Sequence, residues 1–215
     1  MQDEDEGTAA NGFRRLQSIA DGDGSEIRRQ FVLAGLLLMI FERFKEYVTN
    51  QVDGFFASYV EFKDGRLAYT RGEAFKALIR ERGGGNPGQH ANKVFRAALN
   101  WFHEFNAIDK STLEEIERLY ALRNEIGHEL FEIIANDIKK PVTLTDVLMT
   151  LGVYVTIVRW WVKEIEATTD PDMTQEKYAS ANWDEVESVD TLFLRLILQK
   201  SLADDPEWEA LRAGK

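Results

Sequence analysis

Arg123, Asn124 and His128 fall within about one and a half helical turns of one another in a strongly periodic stretch, STLEEIERLYALRNEIGHELFEIIA, residues 111–135. A guanidinium is a permanent cation that grips phosphate oxygens through paired hydrogen bonds. An imidazole is the side chain that exchanges protons near neutral pH. Asn124 and His128 are four residues apart, so on a helix their side chains are neighbours. Gly127 lies four after Arg123, and a mid-helix glycine costs about 1 kcal/mol relative to alanine. That bare spot lets a phosphate or a second helix come close to the Arg and the His. The bland alternative is that it makes room for a bulky neighbour such as Trp160 or Trp161.

Projected at about 3.6 residues per turn, the stretch sorts into three faces. Leu119, Leu122, Ile126, Leu130 and Ile133 form a core stripe, and Glu114, Arg118, Glu125, Glu129 and Glu132 a solvent stripe. An ordinary amphipathic helix stops there. Here Tyr120, Asn124, Gly127, His128 and Phe131 make a third stripe that is neither plainly apolar nor plainly wet, with Arg123 at its border.

Other chemistries find no matching pattern. Glu125-x-x-His128 is a half-motif of di-iron carboxylate bundles, but a second copy is missing, since Pro87 and Asn100 precede His90 and His103 by three. His103-Glu104 and His128-Glu129 lack the second His of a zinc protease, because Ala107 and Glu132 occupy those places. Gly83–Gly88 is glycine-rich but is not followed by the Gly-Lys-Ser/Thr of a phosphate-binding loop, and reads as a flexible connection. Neither a metal site nor a cofactor is expected.

The segment Leu122-Arg123-Asn124-Glu125-Ile126-Gly127-His128 resembles the signature of the HEPN superfamily, helical domains that include many RNases of toxin–antitoxin and anti-phage systems. The family pattern is Arg, four to six residues, then His, with a polar residue after the Arg. Arg123 and His128 are separated by four, and Asn124 fills the polar place. Arg96 and His103 also fit the loose spacing, but Ala97 follows that Arg. Certain members carry a Tyr two residues after the His, a site of modification, where this chain has Leu130.

The resemblance implies a metal-independent endoribonuclease in which the RNA 2′-hydroxyl attacks the adjacent phosphate. It assigns proton exchange to His128, phosphate binding to Arg123, and to Asn124 either orienting the imidazole or bonding a phosphate oxygen. It further implies a homodimer that brings two copies of the motif into one cleft. Tyr120, Gly127 and Phe131 would form that surface. An antitoxin or other protein partner is also implied. The alternative under the same resemblance is a non-catalytic HEPN-like scaffold or regulatory partner.

The elements that must position these groups are mostly helical. The pattern predicts helices from Ser25 to about Thr49, Glu73 to Arg82, and Asn92 to Phe105. Ser111 with Glu114 suggests a capping box for a helix reaching about Ile138. Further helices are expected from near Thr143–Asp146 to Ala167 and from Trp183 to Leu202, with a short one after Asp205-Pro206. Asp64-Gly65 is a turn signal that leaves room for a small β-hairpin near 59–70. The expectation is an all-α fold, an up-and-down bundle of four to five long helices forming one domain over 25–215. An acidic disordered tail is expected over 1–24. The resemblance implies the same bundle.

Composition narrows the class further. The chain has 215 residues, no cysteine, 44% apolar and 29% charged residues, which fits a globular protein in a reducing cytoplasm. The acidic start argues against a secretory signal. The apolar runs Phe31–Phe41 and Val147–Val158 are shorter than the about 20 residues a membrane span needs, so they read as core helices. Residues 1–110 carry 15 Lys and Arg against 16 Asp and Glu, and residues 111–215 carry 11 against 21, which disfavours general duplex binding. Residues 63–96 are the exception, with eight basic against three acidic. Arg71, Lys76, Arg80 and Arg82 are the candidates there for contact with an RNA backbone.

Overall fold

The computed structural model describes residues 21, 22, 24–63, 66–84, 90–135 and 141–214. Most of the expected tail lies outside the described residues, as do Asp64-Gly65 and most of the 83–90 loop. So does the end of the helix expected to reach Ile138.

Helices dominate. They are α1 (Ser25–Phe55), α2 (Glu73–Arg82), α3 (His90–Glu104), α4 (Lys110–Ala135), α5 (Leu144–Trp161), α6 (Gln175–Ser180), α7 (Val189–Ser201) and α8 (Pro206–Ala213). Strands β1 (Ala57–Lys63) and β2 (Arg66–Arg71) pair antiparallel, Lys63 opposite Arg66, with a register shift between Ala57 and Tyr59. The chain divides into two compact units. Of the described residues, those up to 41, from 117 to 151 and from 192 onward make one unit, and those within 42–116 and 152–191 make the other.

Each unit has its own apolar interior. In the first, Leu33, Leu37 and Ile40 of α1, Leu119 and Ile126 of α4, Leu144 and Val147 of α5, and Leu194 and Leu198 of α7 are buried. Their spacings of three, four and seven place one side of each helix inward. In the second unit the interior is aromatic. Trp101 lies 4.8 to 6.2 Å, centroid to centroid, from the rings of Phe55, Phe56, Phe102, Phe105, Trp160 and Trp161. The apolar run of α5 is buried on nearly every side, with only Thr145, Met149, Gly152 and Thr156 exposed. None of the described helices is long and apolar enough to cross a membrane.

Two helix starts differ from the sequence pattern. At α4 the cap is Asp109, whose carboxylate accepts from the Thr112 N–H at 2.7 Å and the Ser111 hydroxyl at 2.9 Å. Ser111 therefore lies inside the helix and caps nothing. The expected helix from Trp183 is instead a single 3₁₀ turn, Trp183–Glu185, followed by extended backbone and then α7. Arg159 donates to the Val186 carbonyl at 3.1 Å, and Ser188 accepts from the Thr191 N–H at 3.2 Å, opening α7 afresh. The helix that opens with α5 does reach Ala167, through a π-helical segment, Val162–Glu166, and a last turn, Ala167–Thr169.

Two carboxylates anchor helix starts in the first unit. Asp146 accepts from the Thr143 N–H (2.9 Å) and hydroxyl (2.6 Å), and pairs with Arg118 of α4 at 2.6 Å. Asp205 caps α8 through the Trp208 N–H at 3.0 Å and pairs with Arg29 of α1 at 2.6 Å. Burial alone pushes both carboxyls up. The hydrogen bonds and cations outweigh it, so both sit below the usual aspartate value. A depressed carboxylate contributes stability above its unfolded value of about 3.9, and that contribution is lost as pH falls below it. Acid titration is expected to lower the urea midpoint through this range. Asp146→Ala should cost about 1–2 kcal/mol near neutral pH and show a shallower acid loss than wild type. Equal acid slopes would contradict the assignment.

Candidate functional site on helix α4

Helix α4 carries the Arg-Asn-His group because its buried residues, Ile116, Leu119, Ile126 and Ile133, hold one side inward and leave the opposite side outside. His128 and Gly127 are exposed, while Arg123 and Asn124 are half-buried. The Arg123 guanidinium donates to the Asn124 side-chain oxygen at 3.0 Å. Adjacent helix residues do not face each other in projection, but arginine's long stem bridges the difference.

This bond sorts the roles. The Asn124 oxygen is engaged by Arg123, so its amide N–H groups are the ones left to donate outward, toward a ring or an anion. The planar fork of Arg123 is held at one edge by that oxygen, which limits its rotation. Among the described residues, no hydrogen bond is made to the His128 ring, which stands in solvent one turn away.

Gly127 lies between the two. A Cβ built at Gly127 meets nothing within 4 Å, so the glycine clears no space for a described neighbour of its own unit. Gly127→Ala is accordingly expected to raise the unfolding free energy by about 0.5–1 kcal/mol in urea, by helix propensity alone. A loss of stability would mean that the site is sterically closed.

The backbone leaves helical geometry at Glu129 (φ −134°, ψ 26°), one residue after His128. A projection drawn for one straight helix does not carry past that point, so the register that links His128 to Phe131 is lost. The side chain of Phe131 falls outside the described set. Tyr120 is half-buried, its ring 5.9 Å from buried Phe41, so the core of its own unit covers part of it. Nothing in the sequence marks Glu129 as the break; Gly127, two residues earlier, is the nearest signal.

Two of the four candidates in the basic strip are already paired. Arg82 forks onto Glu104, with Nε at 2.9 Å from both carboxylate oxygens, and Lys76 pairs with Glu73 at 2.8 Å. Arg80 is exposed, and the Arg71 side chain falls outside the described set. These residues belong to the second unit and the Arg-Asn-His group to the first. His103, the other histidine at family spacing from an arginine, donates from Nδ1 to the Ile108 carbonyl at 2.9 Å beside the end of α3. Its ring has a structural partner. No cluster of three or more His, Asp or Glu side chains that would hold a metal occurs among the described residues. No family model, curated protein or solved structure matches this chain.

Proposed function

We propose that the protein is a HEPN-like, metal-independent endoribonuclease, built as an up-and-down helical bundle and working as a homodimer in a toxin–antitoxin or phage-defence setting. The observation that carries this reading is an exposed imidazole, His128, one helical turn from a pre-oriented Arg123–Asn124 pair, with open space at Gly127 between them. In the reaction, the RNA 2′-oxygen bonds to the adjacent phosphorus and the bond to the 5′-oxygen breaks. The 2′-hydroxyl loses a proton and the departing 5′-oxygen gains one. The products are a 2′,3′-cyclic phosphate and a 5′-hydroxyl.

His128 exchanges those protons, and its exposure leaves it open to a strand. Arg123 binds the phosphate oxygens on which negative charge builds, and an Asn124 amide N–H supports the same group. One His and one Arg make a sparse site. A two-fold partner presenting the same α4 surface doubles it, and the absent side chain at Gly127 is what permits close approach. Gly127→Ala is then expected to weaken self-association while stabilising the subunit. An inhibitory protein partner would act by covering this surface.

A direct test is RNA digestion in EDTA by wild type and by Arg123→Ala. Cleavage by the wild type that the variant loses supports the proposal. A wild type that cuts no RNA, alone and at concentrations where it dimerises, favours the non-catalytic scaffold reading, to which the acidic half of the chain also lends itself.

A further inference from the structure

The second unit contains a pocket of about 530 Å³, lined by Phe105, Asn106, Trp160, Lys163, Glu164 and Ile165. Two local devices build it. Helix α3 closes with the Ala107 N–H bonded to the Phe102 carbonyl (2.9 Å) and the Asn106 N–H to that of His103 (3.0 Å), with Asn106 left-handed at φ 60°. That is a Schellman closure with asparagine in the place usually held by glycine. It turns the chain sharply and leaves the Phe105 ring 53% exposed. On the other side, the π-helical stretch Val162–Glu166 widens the end of α5 and sets Lys163, Glu164 and Ile165 on the wall. Such segments recur at functional sites because the extra residue re-aims its neighbours.

The lining has a definite chemistry. Phe105 and Trp160 both lean on Trp101, at 4.8 and 5.9 Å, which supports the two rings from one side. The polar groups are an amide that both donates and accepts, an ammonium, and a carboxylate 3.2 Å from that ammonium. An apolar acyl chain would leave the Asn106 amide unmatched, and a simple anion would leave the two rings uncovered. A flat heteroaromatic ring with donors and acceptors on its edge matches both the rings and the polar set. The volume suits a nucleotide-sized ligand.

We propose that this pocket binds a nucleobase, stacked on Phe105 and Trp160 and read at its edge by Asn106 and Glu164, with Lys163 toward the adjoining phosphate. A single-stranded RNA is the expected source, a choice that rests on the ribonuclease reading; a free nucleotide shares the same chemistry. Stacking on an aromatic side chain tolerates any base, and the edge contacts from Asn106 and Glu164 would set a preference among bases.

The test measures binding by calorimetry to two probes, uridine or adenosine monophosphate, and a 2′-O-methyl oligonucleotide that lacks the attacking hydroxyl. Phe105→Ala removes an exposed ring, and Asn106→Gly preserves the left-handed cap while deleting the amide. Each is expected to weaken binding about ten-fold, Phe105→Ala with a small fall in the thermal midpoint because its ring leans on Trp101, and Asn106→Gly with none. Tighter binding of the oligonucleotide assigns the pocket to RNA, whereas binding of the mononucleotide alone assigns it to a free nucleotide. Wild type that binds neither probe, or variants that bind as wild type does, overturns the proposal. Phe105-dependent binding without RNA cleavage would keep the pocket and remove the ribonuclease reading. Cleavage without Phe105-dependent binding would do the reverse.

Discussion

His128→Ala is expected to lower the rate of RNA cleavage by about 10²–10⁴-fold, the range that general acid–base help supplies. The protein should still fold and self-associate. The imidazole is exposed and makes no hydrogen bond to a described residue, so its removal opens no cavity and strands no polar partner. The neighbouring Arg123–Asn124 bond does not involve it and stays in place. Single-turnover cleavage at saturating RNA reads the chemical step, and light scattering reads the assembly. A variant as active as wild type would remove His128 from the mechanism, and one that aggregates would give the ring a structural role.

Trp101→Ala should lower the unfolding free energy by about 3–5 kcal/mol, the usual cost of deleting a buried large aromatic. The side chain is 3% exposed and borders six other rings of its unit. Few neighbours can move into the space, because Phe102 and Trp161 are themselves buried and packed together at 6.0 Å. Such a loss is a large part of the about 5–15 kcal/mol that holds a typical domain folded. Trp101→Phe keeps an aromatic contact and should cost clearly less. Urea unfolding compares the two, and equal small losses would show that the cluster is loosely packed. Because Phe105 and Trp160 lean on this ring, the alanine variant should also loosen the pocket between them.

How far the chain could be read from its residues depends on the range of the forces involved. Glu73–Arg82 was legible to the residue because an amphipathic run is bounded by Gly72 and Gly83. The apolar run of α5 was legible as interior because it is too short to span a bilayer yet apolar on all but the side of Gly152 and Thr156. Asp109 and Ser111 are both capping residues two apart, and local propensity does not choose between them; the hydrogen bond to Thr112 does. The break before α7 depends on Arg159 reaching a carbonyl 27 residues away, which no local pattern encodes.

At the candidate site the same division holds. The types and spacing of Arg123, Asn124 and His128 stood out in a helical projection. Their exposure, the hydrogen bond between the first two and the break at Glu129 did not. The nucleobase pocket had no motif at all. It arises where a helix cap and a π-helical segment, more than 50 residues apart, meet around the same rings.

The most direct measurement is the chemistry of the cut ends. Purified protein is incubated with a labelled single-stranded RNA in excess EDTA, and both termini of each product are identified by mass. Fragments ending in a 2′,3′-cyclic phosphate and beginning with a 5′-hydroxyl are what proton exchange at His128 and charge binding at Arg123 require. Ends bearing a 5′-phosphate, or cutting that appears only when a divalent metal is restored, would contradict the account.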